Sequence, residues 1–375
     1  MTASSLLFVP YSTAGHVHPM LPVMAELVAS GATVRALVAD RFAAAVRATG
    51  AGVTVLEAVP DVFVPDGWSG AGRFLIGRAQ RPLRNARAAS RLARELRIRR
   101  PDLVVLDPML GWADRVTRRS GIRSALFSTT FAGGPQVRAV IGLRPGRYLP
   151  SVRRHLRSGR LVLAHALPDL QPAVETLPAS VCLVAPLIRT DRPSPVFEAD
   201  SRLLYMSPGT VFGRAPGFFR AVGEAFEGRP WQVVIATGPV DPARLRPMPA
   251  NVRIAREVPQ LHILKNCTVF LTHAGMNSAL EGLSAGVPMA LAPRSAEQRF
   301  IAGRLVQLGV GGYARTGRHD PARLYTDITK LADSPTVRAA AAAWRQRLAG
   351  SDGARQAAAL LAAEATKESP IGRAG

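Results

Sequence analysis

The sequence predicts an α/β protein that builds a parallel sheet twice. Three observations lead there. Short apolar runs alternate with stretches of helical period, the mark of βαβ units. The alternation comes in two series, parted by the proline-bearing stretch 186–200, PLIRTDRPSPVFEAD. And 375 residues with 47% apolar content suffice for two domains, each with its own core.

In the first series residues 6–9 (LLFV) read as a strand, and 19–29 as a helix that Pro19 starts and Gly31 closes. Strands at 33–38 and 53–56 flank a helix at 41–49 that Gly50 ends. Residues 58–77 carry Pro60, Pro65, Gly67, Gly70 and Gly72, which break any period and read as a loop. An arginine-studded helix at 82–99, a buried strand at 103–106, a helix at 112–120 and a strand at 124–127 complete one open sheet. A strand at 181–184 follows a basic segment. The second series has strands at 203–206, 232–236, 252–255, 269–271 and 289–291, with helices at about 215–227, 260–266, 276–285 and 298–308. Helical patterns fill 321–366, and the tail ESPIGRAG reads as frayed. The expected division is 1–190 for the first domain, 191–200 for a linker, 201–352 for the second domain, and 353–375 for a C-terminal helix, packing back on the first domain, and tail.

The net charge of +22 comes almost wholly from arginine, since Lys265, Lys330 and Lys367 are the three lysines. Arginine, alanine and proline together are what a GC-rich genome favours, so composition alone accounts for the bias as well as a functional basic surface does. The densest runs, 78–100 and 138–160, attract phosphate, anionic lipid or nucleic acid through long-range fields. They lack interleaved aromatics for base stacking, so no nucleic-acid partner is expected. Cys182 and Cys267 are far apart and form neither a disulfide framework nor a thiolate metal site. With no basic leader and no apolar run of about 20 residues, a soluble cytoplasmic protein is expected, a monomer or homodimer.

Ligands of open α/β sheets bind beyond the carboxyl ends of the strands. The stretch 271–288, LTHAGMNSALEGLSAGVP, lies at such a place, running from a strand through a turn into a helix that starts at Met276. Free N–H groups at the helix start, with the macrodipole behind them, make an anion site, and Gly275 lets a phosphate approach the backbone. Asn277 and Ser278 add donors, His273 can meet an oxygen, and Glu281 on the first turn can accept hydroxyl bonds from a ribose. The same residues also serve as ordinary caps, a turn histidine and a dipole-compensating acid. Two more strand ends face the same way: Ser207-Pro208-Gly209-Thr210, and 293–298 (PRSAEQ), which presents Glu297 and Gln298 to sugar hydroxyls. No G-x-G-x-x-G and no P-loop signature occurs, which argues against a nicotinamide dehydrogenase or a P-loop enzyme.

Taken in order, VPQ (258–260), THAGMNSALEGLSAGVP and PRSAEQ resemble the nucleotide-sugar signature of inverting GT-B glycosyltransferases. The likeness is to the bacterial natural-product, macrolide-type branch shared with the UDP-glycosyltransferases. It extends over most of the chain, through GHVHPMLPVMAELVASG, PDLVVLDPMLGWADRVTRRSGIRS and YMSPGTVFG. The resemblance implies two Rossmann-like domains facing each other across a cleft, the second holding the donor and the first the acceptor. By position it places Val258 and Gln260 at the nucleotide base, and Ser207, Gly209 and Thr210 at the diphosphate. His273 joins that diphosphate set with the Gly275, Met276, Asn277 and Ser278 amides, while Glu281 falls at the ribose and Glu297 with Gln298 at the transferred sugar. Many relatives have aspartate where this chain has Glu297, which leaves the sugar open.

The resemblance further makes His16 the catalytic base and Asp107 the acid that orients it. A histidine suits that task because its pKa lies near working pH, and the acid fixes its tautomer as in hydrolase triads. His16 and His18 form no metal pair with a third ligand close in sequence, and no D-x-D pair is present to chelate a metal on the diphosphate. No metal and no cofactor are expected, only a UDP- or dTDP-sugar as co-substrate. The implied reaction is a single in-line displacement at the anomeric carbon, with inversion, onto a hydroxyl of a small hydrophobic or aromatic natural-product acceptor, as in antibiotic biosynthesis. The segments after the third strand and at 131–160 are expected to line the acceptor pocket. Three alternatives stay open: a lipid acceptor with weak contact to an anionic membrane surface through the arginine-rich helices, a non-catalytic sugar-nucleotide-binding partner, and a sugar epimerase of the same fold.

Overall fold

The computed structural model describes residues 4–56, 68–133, 137, 150–188, 202–209, 216–315 and 320–367, with 68–82 of the long helix described by backbone alone. The chain divides into two compact units. The first contains β1 (Ser5–Val9), α1 (Ala14–Val17), α2 (Met20–Ala29), β2 (Thr33–Ala39), α3 (Ala43–Arg47), β3 (Gly52–Leu56), α4 (Trp68–Arg99, in this unit from Leu75 on), β4 (Leu103–Leu106), α5 (Gly111–Arg119), β5 (Ser124–Ser128), α6 (Pro150–Arg157), β6 (Val162–Ala164) and β7 (Val181–Leu183). The second contains β8 (Arg202–Ser207), α7 (Pro216–Phe226), β9 (Trp231–Ala236), β10 (Val252–Ala255), α8 (Gln260–Leu264), β11 (Val269–Thr272), α9 (Met276–Ala285), β12 (Met289–Leu291), α10 (Ala296–Gln307), β13 (Gly311–Tyr313), α11 (Pro321–Asp333) and α12 (Pro335–Ala349). The last helix, α13 (Gly353–Thr366), belongs to the first unit.

Among the described residues the first sheet runs β3-β2-β1-β4-β5-β6-β7 and the second β10-β9-β8-β11-β12-β13, and every recorded pairing is parallel. Each unit is therefore Rossmann-like. In each, the order reverses between the first and fourth strands of the series, β1 beside β4 and β8 beside β11, and such a reversal opens a crevice beyond the strand ends.

Parallel strands are apolar on both faces because helices cover both. In β1, Leu6 and Phe8 join Met24, Val105, Phe127 and Leu361 in one core, while Leu7 and Val9 join Leu92, Leu96, Leu106 and Trp112 in the other. Full burial of each such side chain contributes about 1.5–3 kcal/mol. The second unit packs Leu204, Met206, Phe219, Phe226, Val233 and Ile235 in the same manner. Helix α13 packs on α2 through Leu361, and its first residue must be glycine, since a Cβ on Gly353 would come to 2.9 Å from the Pro186 carbonyl oxygen.

Three features depart from the pattern-based expectation. Helix α4 begins at Trp68, so 68–77 is helical where Gly70 and Gly72 pointed to a loop. A glycine costs a helix only about 1 kcal/mol against alanine, and adding turns to a formed helix avoids the unfavourable nucleation step. Strand β13 has the poor strand sequence Gly-Gly-Tyr and exists through its pairing with β12; at Gly311 a Cβ would meet the Met289 carbonyl oxygen at 2.5 Å. The basic segment ends in a defined helix, α6, followed by β6. His155 ties α6 down: it is fully buried, its Nδ1 donates to the Ser151 carbonyl at 2.9 Å, and its Nε2 meets Ser124 Oγ at 3.1 Å. Burial holds its pKa below the ordinary histidine value. The stretch read as the linker, 191–200, and Thr210 lie outside the described residues.

Candidate active site

In the first unit the strand reversal brings together the residues that follow β1 and β4, whose last residues, Val9 and Leu106, are register partners. Asp107 comes directly after β4, with its backbone N–H on the Val9 carbonyl at 3.1 Å. Its side chain has no exposure, and its Oδ1 accepts the Met109 N–H at 2.8 Å. Its Oδ2 lies 2.6 Å from His16 Nδ1, on the short helix α1. An ionised carboxylate only accepts, so Nδ1 donates, and in the neutral imidazole Nε2 then carries the lone pair. The His16 side chain is 26% exposed, so its ring is open to solvent while the carboxylate beside it is buried. Thr129, just past β5, adds its Oγ1 at 3.2 Å from the same Nδ1. Pattern reading missed Thr129, although its place at a strand end was a usable signal. His18 packs edge-on against Phe42.

Tyr11 connects this dyad to a cavity of about 410 Å³ within the same unit. Its ring centroid is 5.3 Å from that of His16, and it lines the cavity with Asn85, Met109, Leu110, Trp112 and Ser151. Arg154 also lines the cavity, paired with the buried Asp114. Arg115 lines it too, so the walls mix apolar and aromatic groups with polar and charged ones. Of the stretch 131–160, Pro150, Ser151 and Arg154 reach it.

In the second unit the reversal lies between β8 and β11, where Ser207 and Thr272 are register partners, so Ser207-Pro208-Gly209 runs beside Thr272–Gly275. The His273 ring lies between two glycines. A Cβ on Gly209 would come to 2.6 Å from the ring, and one on Gly275 would collide with Nε2. Gly209 also has φ +84°, a conformation that favours glycine. Buried Ala274 takes φ +59°, a strained value for a residue with a side chain, while its N–H donates to Thr272 Oγ1 at 3.2 Å. This tight turn ends at Gly275, the N-cap of α9, which offers no capping side chain. The N–H groups of Met276, Asn277 and Ser278 thus open the helix at the positive end of its dipole.

Glu281, farther along α9, accepts from Gln260 Nε2, and Gln260 Oε1 accepts from the buried Tyr205 hydroxyl at 2.8 Å. Gln260, expected beside the base, is therefore joined to the residue expected at the ribose. Val258 is half-buried in the connection from β10 to α8. Glu297 and Gln298 stand in the first turn of α10, with Glu297 half-buried and Gln298 buried. Gln298 Oε1 accepts the Arg294 and Ser295 N–H groups at 2.8 and 3.2 Å, so its carbonyl serves the helix cap.

Desolvation pushes the thiols of Cys182 and Cys267 up, away from the thiolate form a nucleophile needs. Among the described residues no three or more His, Cys, Asp or Glu gather as a metal group, and no helix is long and apolar enough to cross a membrane.

Residues 231–361 match the family model described as erythromycin biosynthesis protein CIII-like, C-terminal domain. The chain is 28% identical to the NDP-glycosyltransferase YjiC of Bacillus licheniformis, over 86% of this chain and 88% of that protein. It is 28% identical to the oleandomycin glycosyltransferase of Streptomyces antibioticus, over 96% of this chain and 91% of the other. Among solved structures, the calicheamicin glycosyltransferase CalG4 superposes with a TM-score of 0.76 at 26% identity, covering 99% of this chain and 100% of that one.

Proposed function

We infer, for a chain that matches the GT-B-fold nucleotide-sugar glycosyltransferases of natural-product biosynthesis in sequence and in structure, that it moves a sugar from a UDP- or dTDP-sugar onto a hydroxyl of a natural-product aglycone, with inversion and without a metal. The observation that carries this reading is the His16–Asp107 contact of 2.6 Å at the strand reversal of the first unit, near a cavity that Tyr11 and Trp112 help to line.

In this reading the first unit receives the acceptor and the second the donor. With Nδ1 engaged by Asp107, His16 Nε2 takes the acceptor hydroxyl proton as the oxygen attacks the anomeric carbon. Asp107 then faces the imidazolium that forms and stabilises it. Attack and departure occur in one in-line step, so the configuration inverts. The diphosphate leaves with its negative charge at the start of α9, where the N–H groups of Met276, Asn277 and Ser278 and the His273 ring receive it, with Ser207 and Gly209 on the adjoining turn and Thr210, next in sequence, as a further donor. Fixed donors of this kind stabilise developing charge without reorganising. Glu281 holds the ribose, Val258 and Gln260 border the base, and Glu297 with Gln298 reads the sugar.

The test is incubation with UDP- and dTDP-sugars against a panel of phenolic and polyketide aglycones, in EDTA, with mass detection of product and its anomeric configuration assigned by NMR. A β-linked product from an α-linked donor is expected. Nucleotide binding without transfer to any acceptor would point instead to a non-catalytic binding protein.

A further inference from the structure

We propose that Tyr205 is a positioning residue for the nucleotide ribose, because its buried hydroxyl holds Gln260, which in turn holds Glu281; this rests on the reading of Glu281 as the ribose carboxylate. Tyr205 lies within β8 and is 1% exposed, and pattern reading places it among the core residues of a strand. Its ring stacks on Phe270 of β11, its register partner, at 5.1 Å between centroids and 7° between planes. The phenol is therefore fixed to the sheet itself.

From that fixed point the hydrogen bonds run in one direction. Tyr205 Oη donates to Gln260 Oε1 at 2.8 Å, and Gln260 Nε2 donates to Glu281 Oε2. The polarity is forced at the far end, because an ionised carboxylate only accepts and must be offered the amide's NH₂. That leaves the amide oxygen facing inward, where the phenol supplies its donor. Glutamine and glutamate are long side chains that lose rotamer freedom when ordered. Ordering both before the ligand arrives lets ribose hydroxyls meet a carboxylate already in place, which removes that cost from binding. Gln260 opens a helix of five residues and Glu281, 21 positions further on, sits within α9; the hydrogen bonds from Tyr205 tie both side chains to the sheet.

The variant Tyr205→Phe keeps the ring and its stacking and deletes only the donor. Calorimetric titration with UDP and dTDP, each beside its counterpart lacking every ribose hydroxyl, reads the effect. Unsubstituted protein should prefer the hydroxylated nucleotide. In Tyr205→Phe that preference should shrink on the order of tenfold, the worth of a hydrogen bond to a charged group, while affinity for the counterparts holds within about twofold. Adding Tyr205→Phe to Gln260→Ala should change nothing more, since both break one chain. Equal losses for both kinds of nucleotide, or an undiminished Tyr205→Phe effect in the Gln260→Ala background, would overturn the role of Tyr205. Failure of the unsubstituted protein to bind either nucleotide would overturn the donor-site reading, and this inference with it.

Discussion

Helices α9 and α10 start at the ends of neighbouring strands, β11 and β12, yet their first turns are built in opposite ways. At α10 the chain satisfies its own amides: Ser295 Oγ accepts the Gln298 N–H at 3.2 Å, and the Gln298 side chain returns to the backbone of the cap. At α9 the N-cap is Gly275, the preceding residue is strained, and two glycines make room for a histidine ring. A capping box stabilises a helix by about 1 kcal/mol. At α9 the cap supplies no side chain, and Ala274 is held at positive φ. The difference teaches that one first turn is closed by its own side chains and the other is not, and in the proposed function the second of these receives the diphosphate.

The largest effect that would break this contrast is at Gly275. Its φ is −70°, which any residue adopts, so Gly275→Ala strains no backbone and places a Cβ against His273, where it also narrows the approach of a phosphate. The displaced ring should lower single-turnover transfer by about 10²-fold, the scale for misplacing or losing a donor to developing charge. Rates near wild type would show that His273 need not lie where it does. Next in size, Glu281→Ala should weaken UDP or dTDP binding by about 1–3 kcal/mol in calorimetry without unfolding the protein; unchanged affinity would remove Glu281 from the donor site. The smallest effect sharpens the other half of the contrast. Ser295→Ala should lower unfolding stability by about 1 kcal/mol and leave UDP affinity unaltered, because free UDP carries no sugar for the α10 turn to read. A large loss of UDP affinity would mean that the two helix starts act as one site.

Much of this was legible in the chain because it is local. The alternation of apolar runs and helical periods located the strands of both sheets that flank the reversals, and the turn residues after residues 206 and 271 followed from strand ends alone, whereas His16 and Asp107 were reached only through the family resemblance. What escaped is long-range or set by packing. Tyr205 reads as an apolar strand residue, and nothing near it announces that its hydroxyl meets Gln260, 55 positions away. Gly275 reads as a phosphate-facing glycine, whereas its missing side chain also makes room for His273. Strand β13 has no strand propensity of its own, and α4 extends through glycines that a local rule treats as breaks.

The central claim is that His16 and Asp107 act as one unit in transferring a sugar, and single-turnover rates of His16→Ala, Asp107→Asn and the double variant test it most directly. Each should be measured with a phenolic and an aliphatic alcohol acceptor. His16→Ala should lower the rate by roughly 10² to 10⁴-fold, the worth of a positioned base, with donor affinity unchanged and a smaller loss on the phenol, whose proton leaves more readily. Asp107→Asn should cost less, and the double variant no more than His16→Ala, since residues that act together are non-additive. Losses that multiply in the double variant, or a near-wild-type rate for His16→Ala, would contradict the account.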